Sequence, residues 1–447
     1  MKRTLIKNAR IINEGEIFEG SLVIEGEIIA EILRNQAEPA IPCQETIDAR
    51  FHYLLPGIID DHVHFREPGL TQKADIFSES KAAVAGGVTS IMDMPNVIPQ
   101  TTSLEALEEK FKLGAEKSLV NYSFYFGATN DNLEQISQLD PQKVCGIKLF
   151  MGSSTGNMLV DRIDAIKKLF THTDLLIAAH CEDQSIIQHN TELFKQQYGE
   201  DPGIHYHPYI RSEEACFASS SLAVKLAKET GARLHLLHIT TEKELTLLEN
   251  LPVSEKKITA EVCIPHLLFS QEDYDTLGSR IKCNPAIKKV TDRDALRKAL
   301  HTHIIDVIGT DHAPHLPAEK EGGSLKAVSG MPMIQFSLIS MMELVKAGVI
   351  SLEQVVQKMC HTPAELYQLH KRGFIREGYQ ADLVLLNPQS EWTLSNSHIL
   401  SKCGWSPLEG KKFSTRVEKT FINGQLIYNE GTIADSYRGQ ALQFRRT

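Results

Sequence analysis

The chain has 447 residues, 42% hydrophobic and 23% charged, with a formal net charge of −10. That length calls for more than one small core, and the composition is that of a soluble globular protein. The negative balance leaves no basic footprint for nucleic acid or an anionic membrane, and no apolar run reaches membrane-span length. The basic start Met1-Lys2-Arg3 is not followed by a signal-peptide apolar region, so a cytoplasmic location is expected. Eight cysteines are scattered with no Cys-x-x-Cys pair, which predicts buried, reduced thiols.

Residues 1–52 alternate apolar and polar in the manner of strands, at 4–12 and again at 20–29. Residues 378–447 return to the same texture at 381–386 and 419–428, with Asn423-Gly424 as a hairpin turn signal. The two ends are expected to pair into one composite domain, a small β-sandwich. Between them, residues 53–377 alternate strands and helices. After a first strand at 54–61, strand-like runs fall at 88–94, 122–126, 146–151, 175–179, 234–238, 257–262 and 304–308. Helical patterns such as 104–113 and 212–230 separate them. Eight strand–helix repeats predict an α/β fold, a closed (β/α)8 TIM barrel. The alternative is an open doubly wound sheet, which normally carries a glycine-rich nucleotide loop after its first strand; none is present.

The most telling stretch is Asp61-His62-Val63-His64-Phe65-Arg66. Strand side chains repeat every two residues, so His62 and His64 share a face and form half of a metal site. Alone, the pair also describes two half-buried histidines on an ordinary strand. Barrel chemistry, however, sits at the C-terminal ends of the strands, and polar residues recur there. Strand four carries Lys148, strand five ends at His180, strand six at His238, and strand eight runs into Thr310-Asp311-His312. These residues make a metal-ligand set for a small-molecule substrate. His235 competes with His238, which is chosen because it lies nearer the mouth. Glu182 is either an orienter of His180 or an acid at a helix start. Lysine in an apolar run usually pairs or snorkels, but Lys148 as a carbamate is anionic and able to bridge two divalent ions. Asp311 is placed to ligate a metal and to shuttle a proton.

These motifs resemble the amidohydrolase superfamily, and within it the dihydroorotases. The resemblance runs from Pro56-Gly57-Ile58-Ile59-Asp60 and His62-Val63-His64-Phe65-Arg66-Glu67-Pro68-Gly69 through Met94-Pro95-Asn96 and Gly309-Thr310-Asp311-His312-Ala313-Pro314-His315. It closes at Gly378-Tyr379-Gln380-Ala381-Asp382-Leu383-Val384 and so covers nearly the whole chain. It implies reversible hydrolysis of L-dihydroorotate to N-carbamoyl-L-aspartate in pyrimidine biosynthesis, by a homodimer with two divalent ions, zinc by preference. By the same resemblance His62, His64 and Asp311 hold the first ion, His180 and His238 the second, and carboxylated Lys148 bridges them. Arg66, Asn96 and His315 clamp the substrate carboxylate, and Asn284 contacts its ring. One departure stands out: many bacterial dihydroorotases carry an aspartate in the loop after strand four, whereas residues 148–156 here contain no acid. Allantoinase and hydantoinase or dihydropyrimidinase are the nearest alternatives, although allantoin has no carboxylate for the clamp. A non-catalytic scaffold is the remote one, and such a relative is expected to lose ligands that are all present here. Residues 153–158 and 321–324 are expected to be mobile on composition.

Overall fold

The computed structural model describes residues 1–34, 38–152, 158–160 and 162–446. Among the described residues, eight parallel strands form a closed ring. They are Ile58–Val63, Val88–Asp93, Asn121–Phe124 continued by Phe126–Gly127, Ile147–Phe150, Ile177–His180, Leu234–Leu236, Ile258–Cys263 and Val307–Gly309. Each pairs in parallel with the next. The third strand is interrupted at Tyr125, whose N–H reaches back to Asp93 O while Phe126 N–H reaches forward to Gly146 O. Closure comes from a parallel bridge between Val63 and His312, with His64 N donating to His312 O at 2.8 Å. The fold is the expected barrel, and the closing contact falls between two of the sequence's own motifs.

Local signals explain the helices around it. Ser212 caps Glu213–Thr230 by accepting from Ala215 N, and Gly231 ends it in the left-handed conformation at φ 76°. Ser103 caps Leu104–Lys117 in the same way, and that helix runs one turn beyond the expected 104–113. Both begin where a hydroxyl satisfies a first-turn N–H.

The first strand differs from expectation. The apolar run at 54–61 reads as one strand, yet it is two. Tyr53–Pro56 pairs with Arg3–Asn13 and Leu383–Asn387 in the terminal sheet, and Ile58–Val63 opens the barrel. Pro56 has no N–H to extend a ladder. Gly57 passes so close to the next strand that a Cβ would lie 2.1 Å from Thr89 Oγ1. Both halves are buried, so apolar patterning alone gave no sign of the break.

Strands from both chain ends form one nine-stranded sheet among the described residues. In order it holds Thr432–Ile433, Gln425–Asn429, Arg416–Ile422, Leu383–Asn387, Tyr53–Pro56, Arg3–Asn13, Glu16–Glu25 and Ile28–Arg34, with Glu45–Asp48 also on Arg3–Asn13. Asn423 and Gly424, at φ 47° and 74°, make the tight hairpin turn. Seven of the eight cysteines are buried and all eight are unpaired. No helix of the described residues is long and apolar enough to cross a membrane.

A buried carboxylate is one of the links that join sheet and barrel. Asp382 accepts from Asn121 Nδ2 on the third barrel strand at 3.3 Å, from Asn423 N at 2.8 Å, and from the Arg372 guanidinium. Removing a member of such a network leaves buried donors unpaired. Asp382→Ala is therefore expected to cost about 3 kcal/mol. Denaturant unfolding checks this, and an unchanged midpoint would show that the joint does not hold the two parts together.

Candidate metal centre and substrate cavity

The C-terminal ends of the barrel strands open into a cavity of about 440 Å³. His62, His64, Lys148, His180, His238 and Asp311 all line it, and so do Arg66, Asn96, Asn284 and His315. Residues spread over most of the barrel sequence thus meet around one space. His235, the rival to His238, lies inside the barrel instead, with Nδ1 on Thr259 Oγ1 at 2.8 Å and Nε2 3.4 Å from Asp61.

The histidines are oriented as metal ligands require. A neutral imidazole donates from one nitrogen and accepts with the other, so a partner on one side decides which nitrogen faces the site. His62 Nδ1 meets Glu261 Oε2 at 2.9 Å, and His64 Nδ1 meets Asn96 Oδ1 at 2.7 Å. Their Nε2 atoms then converge on Asp311 Oδ1, at 3.3 and 3.1 Å. The ligand atoms of these three residues all lie within 4.8 Å of one another. His180 Nε2 is held by Glu182 Oε2 at 2.9 Å, leaving Nδ1 opposite His238 Nε2 at 2.8 Å. Glu182 is thereby an orienter, itself paired with Arg211, and the helix start belongs to Asp183. Burial raises the Glu182 carboxyl, but Arg211 and His180 outweigh it and hold it at about 2. Burial pulls all four imidazoles below their ordinary value, His62 and His64 to about 4, so they are neutral donors near pH 7.

Three residues of the group have left-handed backbones: Arg66 at φ 67°, His238 at 40° and Asp311 at 46°. Such conformations cost energy in residues with side chains and persist where neighbours hold them. Asp60 supplies part of that hold, accepting from His62 N at 3.3 Å, Thr310 N at 3.2 Å and Thr310 Oγ1 at 2.6 Å. It ties the first strand to the eighth directly beneath His62 and Asp311. Burial raises the Asp311 carboxyl, yet His62, His64 and Lys148 together hold it well below the usual carboxylate range.

Lys148 is 1% exposed, with Nζ 4.6 Å above the Phe150 ring centre and no ion pair among the described residues. Burial lowers its amine to about 8. At the other end of the cavity, Arg66 donates to Pro314 O at 3.1 Å and meets His315 Nε2 at 2.9 Å. Lys73 Nζ stands 3.1 Å from His315 Nδ1 and pairs with Glu319 at 2.6 Å. Trp405 Nε1 fixes the His315 carbonyl at 2.7 Å. Burial and then the adjacent Arg66 and Lys73 keep His315 far below its ordinary value, so it is neutral. Asn284 Oδ1 accepts from Ser329 Oγ at 3.0 Å.

Sequence reasoning missed Glu261, Lys73 and Arg211. Glu261 carried a usable signal, a charged residue in the apolar run ending strand seven, the same signal that marked Lys148. Lys73 and Arg211 lie on connecting segments and carried none.

A family model described as the amidohydrolase family matches residues 53–427. This chain belongs to the amidohydrolase family. A dihydroorotase of Methanosarcina acetivorans is 31% identical over 98% of this chain and 95% of its own. One from Pediococcus pentosaceus is 30% identical over 95% and 99%. Among solved structures, the L-hydantoinase (dihydropyrimidinase) of Arthrobacter aurescens superposes with a TM-score of 0.93 at 26% identity, covering 99% of this chain and 100% of that one. The protein is a metal-dependent cyclic amidohydrolase, and its donor set of imidazoles and carboxylate suits a divalent ion.

In this amidohydrolase the stretch 321–324, expected to be mobile, is anchored. Asp201 accepts from Gly323 N at 2.8 Å and from Leu325 N and Lys326 N at 3.0 Å. Lys320 Nζ donates to Lys282 O at 3.1 Å, Val328 O at 2.6 Å and Gly330 O at 2.7 Å. The loop that lines the cavity is thus held by its amides on one side and its carbonyls on the other. The other expected mobile stretch, 153–158, lies outside the described residues at 153–157. Hydrogen bonds to a charged group contribute about 1.5–3 kcal/mol each. Asp201→Ala is expected to speed amide exchange at Gly323, Leu325 and Lys326 by at least about tenfold. Exchange at the wild-type rate in that variant would mean that Asp201 does not anchor the loop.

Proposed function

We propose that the protein is a dihydroorotase, hydrolysing L-dihydroorotate reversibly to N-carbamoyl-L-aspartate as a cytoplasmic enzyme of pyrimidine synthesis. The observation that carries this reading is the cationic end of the cavity. Arg66 and Asn96 line it, the guanidinium oriented by Pro314 O and His315 Nε2 and the Asn96 amide by His64, and Lys73 adds positive charge behind His315; this suits a substrate carboxylate. The dihydroorotase relatives support it.

In this reading His62, His64 and Asp311 would hold one zinc ion and His180 and His238 another, with carboxylated Lys148 shared between them. When bound, the ions would supply Lewis acidity to the amide carbonyl and to the attacking water. The chain's own residues do the rest. Burial lowers the Lys148 amine, which favours the neutral form that reacts with CO2. Arg66, Asn96 and His315 bind the carboxylate, and Asn284 faces the ring. Asp311 Oδ takes a proton from water as the new C–O bond forms and delivers it to the ring nitrogen as the C–N bond breaks. In the synthetic direction the same groups act in reverse.

The hydantoinase reading draws support from the shared architecture with the Arthrobacter aurescens enzyme. Hydantoin, like allantoin, has no carboxylate, so turnover separates the readings. Zinc-loaded protein is expected to turn over L-dihydroorotate and to leave allantoin and hydantoin nearly untouched. Preference for hydantoin would sink the assignment while leaving the cyclic amidohydrolase standing. Lys148→Ala is expected to lose more activity than the roughly 10- to 100-fold typical of outer-shell partners, with partial recovery in added acetate or propionate. Full activity in that variant would eliminate the bridging carbamate.

A further inference from the structure

One buried carboxylate at the barrel end has no part in the reaction above. Glu261 stands in the seventh strand, Ile258–Cys263, and is 0% exposed. Its Oε2 accepts from two donors, His62 Nδ1 and the backbone N–H of His238, both at 2.9 Å. Its main-chain carbonyl accepts from Ile239 N at 2.8 Å. Oε1 has no hydrogen-bond partner in the structure. It fits because Gly309 has no side chain: a Cβ there would lie 1.9 Å from Oε1. No lysine or arginine pairs with Glu261 among the described residues. A carboxylate buried in this way is costly unless its hydrogen bonds matter to the folded state.

We propose that Glu261 is a positioning residue that couples the two halves of the metal centre. On one side, its Oε2 fixes the His62 tautomer and ring, so that Nε2 faces the cavity beside Asp311. On the other, it pins the left-handed turn at His238, where φ is 40°, with its side chain on His238 N and its carbonyl on Ile239 N. His62 belongs to the first ion and His238 to the second, so one oxygen atom serves both. Displacing it disturbs both ions together. This rests on the two-ion reading proposed above.

The geometry separates reach from the acid group itself. Glu261→Gln keeps an acceptor oxygen at the same reach. Glu261→Asp keeps the carboxyl group but is one methylene shorter, and its oxygens fall short of both donors. Gly309→Ala keeps the Glu261 residue but pushes its carboxyl aside, since the new Cβ would lie 1.9 Å from Oε1. The measurement is cobalt(II) titration of the chelator-treated full-length protein, following stoichiometry and the d–d absorption spectrum, beside thermal melting before metal is added. Glu261→Gln is expected to bind both ions within about threefold of the wild-type affinity. Glu261→Asp and Gly309→Ala are each expected to weaken both ions by about 10- to 100-fold and to change the d–d spectrum. Should the aspartate variant not fold, Gly309→Ala carries the test. Wild-type affinity in the shortened or crowded variants overturns the coupling, and so does loss of one ion with the other intact. Lower melting temperatures with unchanged cobalt spectra also overturn it, since they mark a purely structural role. Wild-type protein that takes up no cobalt overturns the two-ion reading itself.

Discussion

Each imidazole at the barrel mouth has two nitrogens, and a metal ligand can turn only one of them to the cavity. The other needs an acceptor held in place by something else. Here the acceptors come from different parts of the chain: Glu261 for His62, Asn96 for His64 and Glu182 for His180. No single strand can supply both a ligand and its acceptor in this arrangement for His62 or His64, so the site exists only when the ring is closed. Closure in turn runs through the site, at Val63 and His312 and through Asp60 to Thr310. Fold and metal centre therefore share the same hydrogen bonds.

The same dependence explains why polar groups are tolerated deep in the barrel. Asp60, Asp61, His235 and Glu261 are buried, yet most of their polar atoms have partners. Tyr367 donates to Asp61 Oδ2 at 2.9 Å and shares a 2.6 Å contact with Tyr125, bringing a C-terminal helix of the barrel under the site. His312 is spent on structure rather than on chemistry. Its Nε2 meets Glu79 at 2.8 Å and its Nδ1 accepts from Met333 N at 3.0 Å, which sets the backbone of the adjacent Asp311. Neighbouring residues in one motif thus divide the work between holding and reacting.

The barrel was legible because each strand is a local apolar run, and strand ends are one-dimensional features. His62, His64, Lys148, His180, His238 and Asp311 could be found by asking what stands at those ends. The break was overlooked because both flanking strands are buried and apolar, although Pro56-Gly57 is a local break signal; the approach of Gly57 to Thr89 was hidden. Pairings across long separations were equally hidden. Lys73 and His315 lie 242 positions apart, and nothing local to either one marks the contact. Asn96 was readable as part of a substrate clamp, but its bond to His64 depends on how two strands sit side by side.

Charge distribution around the cavity bears on which cyclic amide fits. The metal-side imidazoles are neutral and the ionised Asp311 offsets the nearby Lys148 amine, so that end of the cavity is not strongly cationic without its ions. The far end is different. Arg66 and Lys73 stand close to one another around His315, a like-charge arrangement that opposes its own assembly and is partly relieved by Glu319. A carboxylate bound at Arg66 would relieve part of the remainder, and its attraction to the guanidinium would orient the ring toward the metal end. An uncharged hydantoin or allantoin would leave that repulsion in place and would have to desolvate the donors without pairing them. Selectivity for an anionic ring would then arise as much from rejecting neutral ones as from contacts to the favoured substrate.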